Sequence, residues 1–194
     1  MPTQLSQRFE DAFVFANKLH AEQFRKGKTG VPYVAHLMSV CALVLESGGG
    51  EDEAIAALLH DAVEDQGGAE TREVIRQRFG EHVASIVDGC TDSWENPKPP
   101  WRQRKERFVE GLAEAPPEVI RVVSADKLHN ARAVLRDYRT LGEDLWPRFR
   151  GGRDGSLWYY RAISDALAAR GDNETVRELG QVVGELERLA AAQQ

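Results

Sequence analysis

Between Ala54 and Leu59 the chain is apolar at every position, and the next six residues, His60-Asp61-Ala62-Val63-Glu64-Asp65, carry four groups able to bind protons or metal. With Asp52 and Glu53 as an acidic first turn, composition and length predict a helix running through Asp65. At about 100° per residue His60, Asp61, Glu64 and Asp65 share an arc of roughly 140°, with Ile55, Leu58, Leu59 and Ala62 opposite. Such a helix must bury one face and gather four reactive groups in one place. Any Asp or Glu taken alone is more often part of a solvated stripe. The adjacent His-Asp pair shifts that balance, because a neutral imidazole and a carboxylate can lean toward one cation, leaving Glu64 and Asp65 beside water bound to it.

The remaining pattern is helical as well, with no strand-like alternation of useful length and no internal repeat. Leu5, Phe9, Ala12, Phe13, Ala16 and Leu19 mark a first amphipathic helix within Gln4 to Phe24, and His20 extends its stripe as a packing residue. Arg25-Lys26-Gly27-Lys28-Thr29-Gly30 sets three cations among glycines. Such a loop can hold phosphate oxygens or serve as a solvated turn. Pro32 suits the first turn of a second helix, Tyr33 to Glu46, which packs through Val34, Leu37, Met38, Cys41 and Leu45 with His36 beside that face. Two further helices, Ala69 to Phe79 and Gly80 to Cys90, follow Gln66-Gly67-Gly68, with His82 exposed. The proline-rich stretch from Ser93 to Pro100 breaks the pattern. It resumes at Arg102 to Leu112, whose basic run from Arg102 to Arg107 reads as a solvated face, or as a reach toward a polyphosphate if this helix lines the cleft. Pro116-Pro117 then opens the longest helix, Glu118 to about Tyr138. Its stripe of Val119, Val122, Val123, Ala133 and Val134 also contains Asp126, a carboxylate that is costly there unless a cation or several donors meet it. Asn130 lies one turn on. A second glycine-rich loop, Arg150 to Gly155, precedes a helix bearing Trp158, Tyr159 and Tyr160, and a last helix spans Glu174 to about Ala192.

A chain of 194 residues is long enough for one domain with a substantial core. Hydrophobic and charged shares of 42% and 29% are those of a globular protein. The net charge of −6 disfavours broad nucleic-acid binding but leaves room for a small phosphorylated ligand held by a few local cations. Cys41 and Cys90 read as buried free thiols of a reducing compartment. With no apolar run near ~20 residues and no signal-peptide pattern, no membrane partner and a cytoplasmic location are expected.

His36, His60-Asp61 and Asp126 together form two imidazoles and two carboxylates from three helices. This resembles the H…HD…D signature of the HD-domain metal-dependent phosphohydrolases. The flanking residues are more specific: Arg25-Lys26, Pro32-Tyr33-Val34-Ala35-His36, Leu58 to Asp65, and Ala125-Asp126-Lys127-Leu128-His129-Asn130 look like the hydrolase domain of RelA/SpoT-type alarmone enzymes. The resemblance implies an all-α fold: a single HD-domain helical bundle over residues 1–194, with a core from about 8 to 167 and the metal site between helices. It also implies a stand-alone hydrolase that removes the 3′-pyrophosphate of guanosine tetra- or pentaphosphate. Position by position, it makes His36, His60, Asp61 and Asp126 the metal ligands. Glu64 and Asp65 become the pair that handles the attacking water, Arg25 and Lys26 a basic pair at the cleft mouth, and Asn130 a contact to the nucleoside sugar. His129, where relatives can carry tyrosine, stays outside the metal shell.

Two nitrogens and two carboxylates with no cysteine suit one octahedral Mn²⁺ with open positions better than closed tetrahedral Zn²⁺. Another HD-class nucleotide phosphohydrolase is the alternative enzyme, whether an adenosine alarmone hydrolase, a nucleotidase or an NADPH phosphatase. A non-catalytic nucleotide-binding module is the alternative of another class.

Overall fold

The computed structural model describes residues 3–25, 30–93, 95 and 97–193. Its helices are α1 (Gln7–Leu19), α2 (Val34–Glu46), α3 (Glu51–Leu59), α4 (Ala62–Asp65), α5 (Gly68–Phe79), α6 (Glu81–Cys90), α7 (Trp101–Gly111), α8 (Pro117–Leu141), α9 (Gly152–Arg170) and α10 (Glu174–Ala191), with a 3₁₀ segment at Gly142–Arg148. The all-α expectation holds. The one pairing of extended backbone among the described residues is an isolated antiparallel bridge between Phe24 and Pro32.

Helix α3 is the centre of the bundle. Ala54 to Leu59 are all at most 1% exposed, because a segment apolar on every side can only be stable when surrounded. It packs against α1, α2, α6 and α8, and its three alanines let those neighbours approach closely. Helix α8 crosses this centre and also carries α10, which in turn packs on α9. Asn173 starts α10 by accepting a hydrogen bond from the Val176 N–H at 3.0 Å, a cap that satisfies one of the unpaired donors of the first turn.

The structure corrects several expectations. The central helix does not continue to Asp65: it stops at Leu59, His60 and Asp61 form a turn, and α4 begins at Ala62. At this turn the His60 Nδ1–H donates to the Ala57 carbonyl at 2.8 Å, which fixes the ring where the helix ends. The even 140° arc is therefore replaced by a bent presentation. On α2 the buried stripe is His36, Leu37, Val40, Cys41 and Val44, and Met38 points outward at 43% exposed. Leu5 and Phe13, expected to pack, are also largely exposed. Pro32 does not open α2 but closes the preceding loop, where Arg25 N–H meets Val31 O and Tyr33 N–H meets Gln23 O, both at 2.9 Å. The second glycine-rich loop is already helical from Gly152.

The basic run on α7 is not simply a solvated face. Arg104 is buried and, with Lys105, holds the Asp92 carboxylate, while Arg102 lies 3.2 Å over the Trp158 ring. Trp101, the first residue of α7, packs edge-on against Trp158 and Tyr159 and rests on the glycines that start α9. Gly151 has an ordinary helical φ of −78°, so backbone strain is not what requires glycine there. A Cβ at Gly151 would stand 2.6 Å from the Trp101 ring. Gly151→Ala is therefore expected to lower stability by about 1–3 kcal/mol through overpacking, read as a lower denaturant midpoint with unchanged helical circular dichroism.

Candidate metal centre

The turn after α3 brings His60 and Asp61 under α2 and α8. His36 comes from the buried stripe of α2 and Asp126 from that of α8. His36, His60 and Asp126 form a group whose donor atoms all lie within 4.8 Å of one another, with exposures of 1%, 2% and 6%. Asp61 stands at the edge of this group. Its Oδ2 is 3.0 Å from His60 Nε2 and 3.6 Å from His36 Nε2, while Asp126 Oδ1 is 3.2 Å from His36 Nε2 and 3.6 Å from His60 Nε2.

The far side of each imidazole decides which nitrogen faces inward. A carbonyl can only accept, so His60 carries its proton on Nδ1, toward Ala57 O. His36 Nδ1 contacts His129 Nδ1 at 2.8 Å, and one of the two must donate. Burial pushes the His129 pKa down to about 4, with His36 and Arg25 adding to the effect, so this ring stays neutral and can accept. Whichever ring donates, the contact holds His36 Nδ1 outward and turns its Nε2 toward the carboxylates. Both Nε2 atoms are buried and point at the carboxylates, where each can carry a proton or, without it, offer a lone pair to a cation. Two imidazole lone pairs and two carboxylates around one point are a donor set for a cation, and no cysteine competes.

The electrostatics agree. Burial alone would lower the His60 pKa, but Asp61 and Asp126 outweigh it and hold it well above the ordinary value. Burial likewise opposes ionisation of both carboxylates, yet His60 and His36 keep Asp61 ionised, and Lys127 with the same two rings keeps Asp126 so. The field at this point favours positive charge, whether a proton or a metal ion.

A second layer of hydrogen bonds orients these groups. Tyr33 donates its hydroxyl to Asp61 Oδ2, and Asn130 and Lys127 donate to the two oxygens of Asp126. Arg25 donates to Asn130 Oδ1 at 2.8 Å, so the loop closed by the Phe24–Pro32 bridge reaches the centre through one intervening side chain. Lys26 and Lys28 lie outside the described residues. Glu64 and Asp65 stand apart from the donor group on α4. Glu64 accepts from Lys98 Nζ at 2.8 Å, and Asp65 accepts from Gln23 Nε2 at 2.7 Å. Gln23 is fixed in turn, its Oε1 accepting from Gln66 Nε2 at 2.7 Å and from His20 Nδ1 at 2.6 Å.

Sequence reasoning missed Gln23, Lys98 and the supporting roles of Tyr33 and His129. Tyr33 does carry a signal, lying in the Pro32 to His36 stretch three residues before a metal-ligand candidate. Lys98, inside the irregular proline-rich segment, gave no signal. Cys41 and Cys90 are free, as expected, and His20 is buried.

Because outer-layer partners tune metal affinity, His129→Phe is expected to weaken divalent-metal binding by about 10- to 100-fold while leaving the fold intact. Calorimetric titration of the metal-stripped variant is the check, and unchanged affinity would free His36 from this contact.

Comparison with known proteins identifies the family and several relatives. The HD-domain family model matches residues 12–157. The guanosine-3′,5′-bis(diphosphate) 3′-pyrophosphohydrolase MESH1 of Xenopus tropicalis is 37% identical over 142 residues, covering 72% of this chain and 74% of the relative. Its Homo sapiens counterpart is 34% identical over 152 residues, covering 77% and 79%. The guanosine-3′,5′-bis(diphosphate) 3′-pyrophosphohydrolase of Aquifex aeolicus is 36% identical over 132 residues, 68% of this chain, but the chain spans only 18% of that relative's length. Among solved structures, one described as a metazoan ortholog of SpoT that hydrolyzes ppGpp superposes with a TM-score of 0.76 at 28% identity, covering 93% of this chain and 96% of that one.

Proposed function

The chain belongs to the HD-domain family, and from that premise we propose that it is a metal-dependent hydrolase that removes the 3′-pyrophosphate of guanosine 3′,5′-bis(diphosphate) or its pentaphosphate analogue. The observation that carries this reading is the pair of buried, unpartnered imidazole Nε2 atoms facing two carboxylates, in a chain that covers 74% and 79% of two relatives named for that reaction. The family implies a divalent metal, and the donor set fits one. His36, His60, Asp61 and Asp126 would hold it. Their two nitrogens and two carboxylates, with no thiolate, favour Mn²⁺.

When bound, the metal acidifies water and offsets charge building on the phosphoryl oxygens. The protein's own groups do the rest. Asp65 and Glu64, outside the donor set, serve as the acid–base pair: one carboxylate takes a proton from water as the water oxygen bonds to the phosphorus next to the ribose, the bond from that phosphorus to the 3′-oxygen breaks, and the departing 3′-oxygen takes up a proton, leaving a 3′-hydroxyl and free pyrophosphate. Gln23 and Lys98 keep these carboxylates oriented, and Lys98 and Lys127 supply positive charge. Arg25, with Lys26 beside it in sequence, meets the substrate's phosphates at the cleft mouth, and Asn130 the sugar. Lys127 holds the Asp126 carboxylate ionised and ready to bind a cation.

Incubating the metal-loaded protein with guanosine and adenosine polyphosphates and NADPH, and identifying the products, tests the assignment. Pyrophosphate released from guanosine 3′,5′-bis(diphosphate) is expected, and orthophosphate from NADPH as the preferred product would move the protein to the alternative enzyme class. Asp126→Ala is expected to lose the metal. Glu64→Gln and Asp65→Asn are expected to keep it and lose about 10²- to 10⁴-fold in turnover. Metal analysis beside steady-state kinetics separates the two behaviours, and near-normal turnover in both carboxylate variants would end their assignment as the acid–base pair.

A further inference from the structure

His20 closes α1 and is 2% exposed, but it is not one of the metal donors. Its ring stacks on that of Tyr33, with centroids 5.2 Å apart and planes inclined by 22°. Packing alone does not require an imidazole there. The Nε2 atom is buried and has no hydrogen-bond partner among the described residues, which is unfavourable, and a phenyl ring would stack on Tyr33 without that penalty. The polar contact that the ring does make is through Nδ1, 2.6 Å from Gln23 Oε1.

The backbone of Gln23 is held at both ends, its N–H by the His20 carbonyl at 3.0 Å and its carbonyl by the Tyr33 N–H at 2.9 Å. What remains to be set is which way round the side-chain amide sits. The two ends of an amide differ, because the oxygen only accepts and the NH2 only donates. Asp65 Oδ2 lies 2.7 Å from Gln23 Nε2, so an ionised carboxylate meets a donor. The reversed amide would set oxygen against oxygen and leave Asp65 without this hold. Two donors at Oε1 oppose the reversal, His20 Nδ1–H and Gln66 Nε2–H at 2.7 Å. Gln66 is itself an amide and can turn together with Gln23. His20 has no such freedom: moving its proton to Nε2 would bury an N–H that has no acceptor.

We infer that His20 is a positioning residue for Asp65, locking the Gln23 amide with its NH2 toward the carboxylate by donating through Nδ1. The inference rests on the reading of Asp65 as one of the acid–base pair. A carboxylate near solvent that has to meet one particular water gains from being held in a single orientation.

Two substitutions separate the donor from the ring. His20→Phe keeps a ring against Tyr33 and removes the Nδ1–H, whereas His20→Asn offers an amide NH2 near the same place and removes the ring. With metal-loaded protein and guanosine 3′,5′-bis(diphosphate), His20→Phe is expected to lower kcat by roughly tenfold, with KM, metal content and melting temperature near those of wild type. His20→Asn is expected to recover part of that loss despite lower stability. In a Gln23→Ala background His20→Phe should lower kcat no further, because its effect passes through Gln23. Ring-nitrogen NMR of the wild-type protein gives a readout that does not depend on turnover, with the His20 proton expected on Nδ1. A fully active His20→Phe, an additive loss in the Gln23→Ala background, or a neutral ring with its proton on Nε2 would each overturn the proposal. A fully active His20→Phe beside an inactive Asp65→Asn would overturn it alone, whereas near-normal turnover in Asp65→Asn would remove the acid–base reading and the proposal together.

Discussion

A carboxylate buried in a stripe of valines has to be met by positive charge or by donors, and Asp126 is met by both. Lys127 and Asn130 come from its own helix, and the two imidazoles come from α2 and from the turn after α3. Three helices that would otherwise meet only through apolar contacts are thus brought into register around one charge. Helix α3, apolar on every side, supplies the burial that makes this charge expensive, and its end supplies one of the groups that offsets it.

The same logic runs one layer out. Every member of the group has a further partner: His36 meets His129, His60 the Ala57 carbonyl, Asp61 the Tyr33 hydroxyl, and Asp126 both Lys127 and Asn130. Rings and carboxylates held in this way lose little freedom on meeting a cation, which is the general benefit of preorganisation. The two carboxylates of α4 are treated differently. They sit nearer solvent and are held by Gln23 and Lys98, groups whose own segments approach from α1 and from the stretch before α7.

Much of this was legible in the residues. Helical periodicity on both sides of the proline-rich stretch carried the fold class, and Asp126 announced itself because charge among valines needs an explanation. What stayed hidden depended on tertiary contact. No rule of helix propensity stops a helix at His60, where the imidazole turns back on its own last turn. The outward turn of Met38 and the burial of His36 follow from a small rotation of α2 that periodicity does not resolve. Arg104 looked like part of a solvated run, and only the arrival of Asp92 from another segment shows that it is interior. Lys98 illustrates the same limit, because a lysine among prolines carries no pattern that could tie it to Glu64.

The short bridge between Phe24 and Pro32 separates two tasks. With the Arg25–Val31 and Tyr33–Gln23 bonds it clamps the base of the loop, and from that base Gln23 reaches Asp65 while Tyr33 reaches Asp61. Whatever is inserted or deleted beyond the clamp leaves both of those contacts where they are. Lengthening a clamped loop is also inexpensive, at about 0.6 kcal/mol for each doubling of its length. Descendants of such a chain can therefore vary the residues that greet a ligand at the cleft mouth without retuning the groups that hold the metal centre, so recognition and chemistry are free to evolve at different speeds.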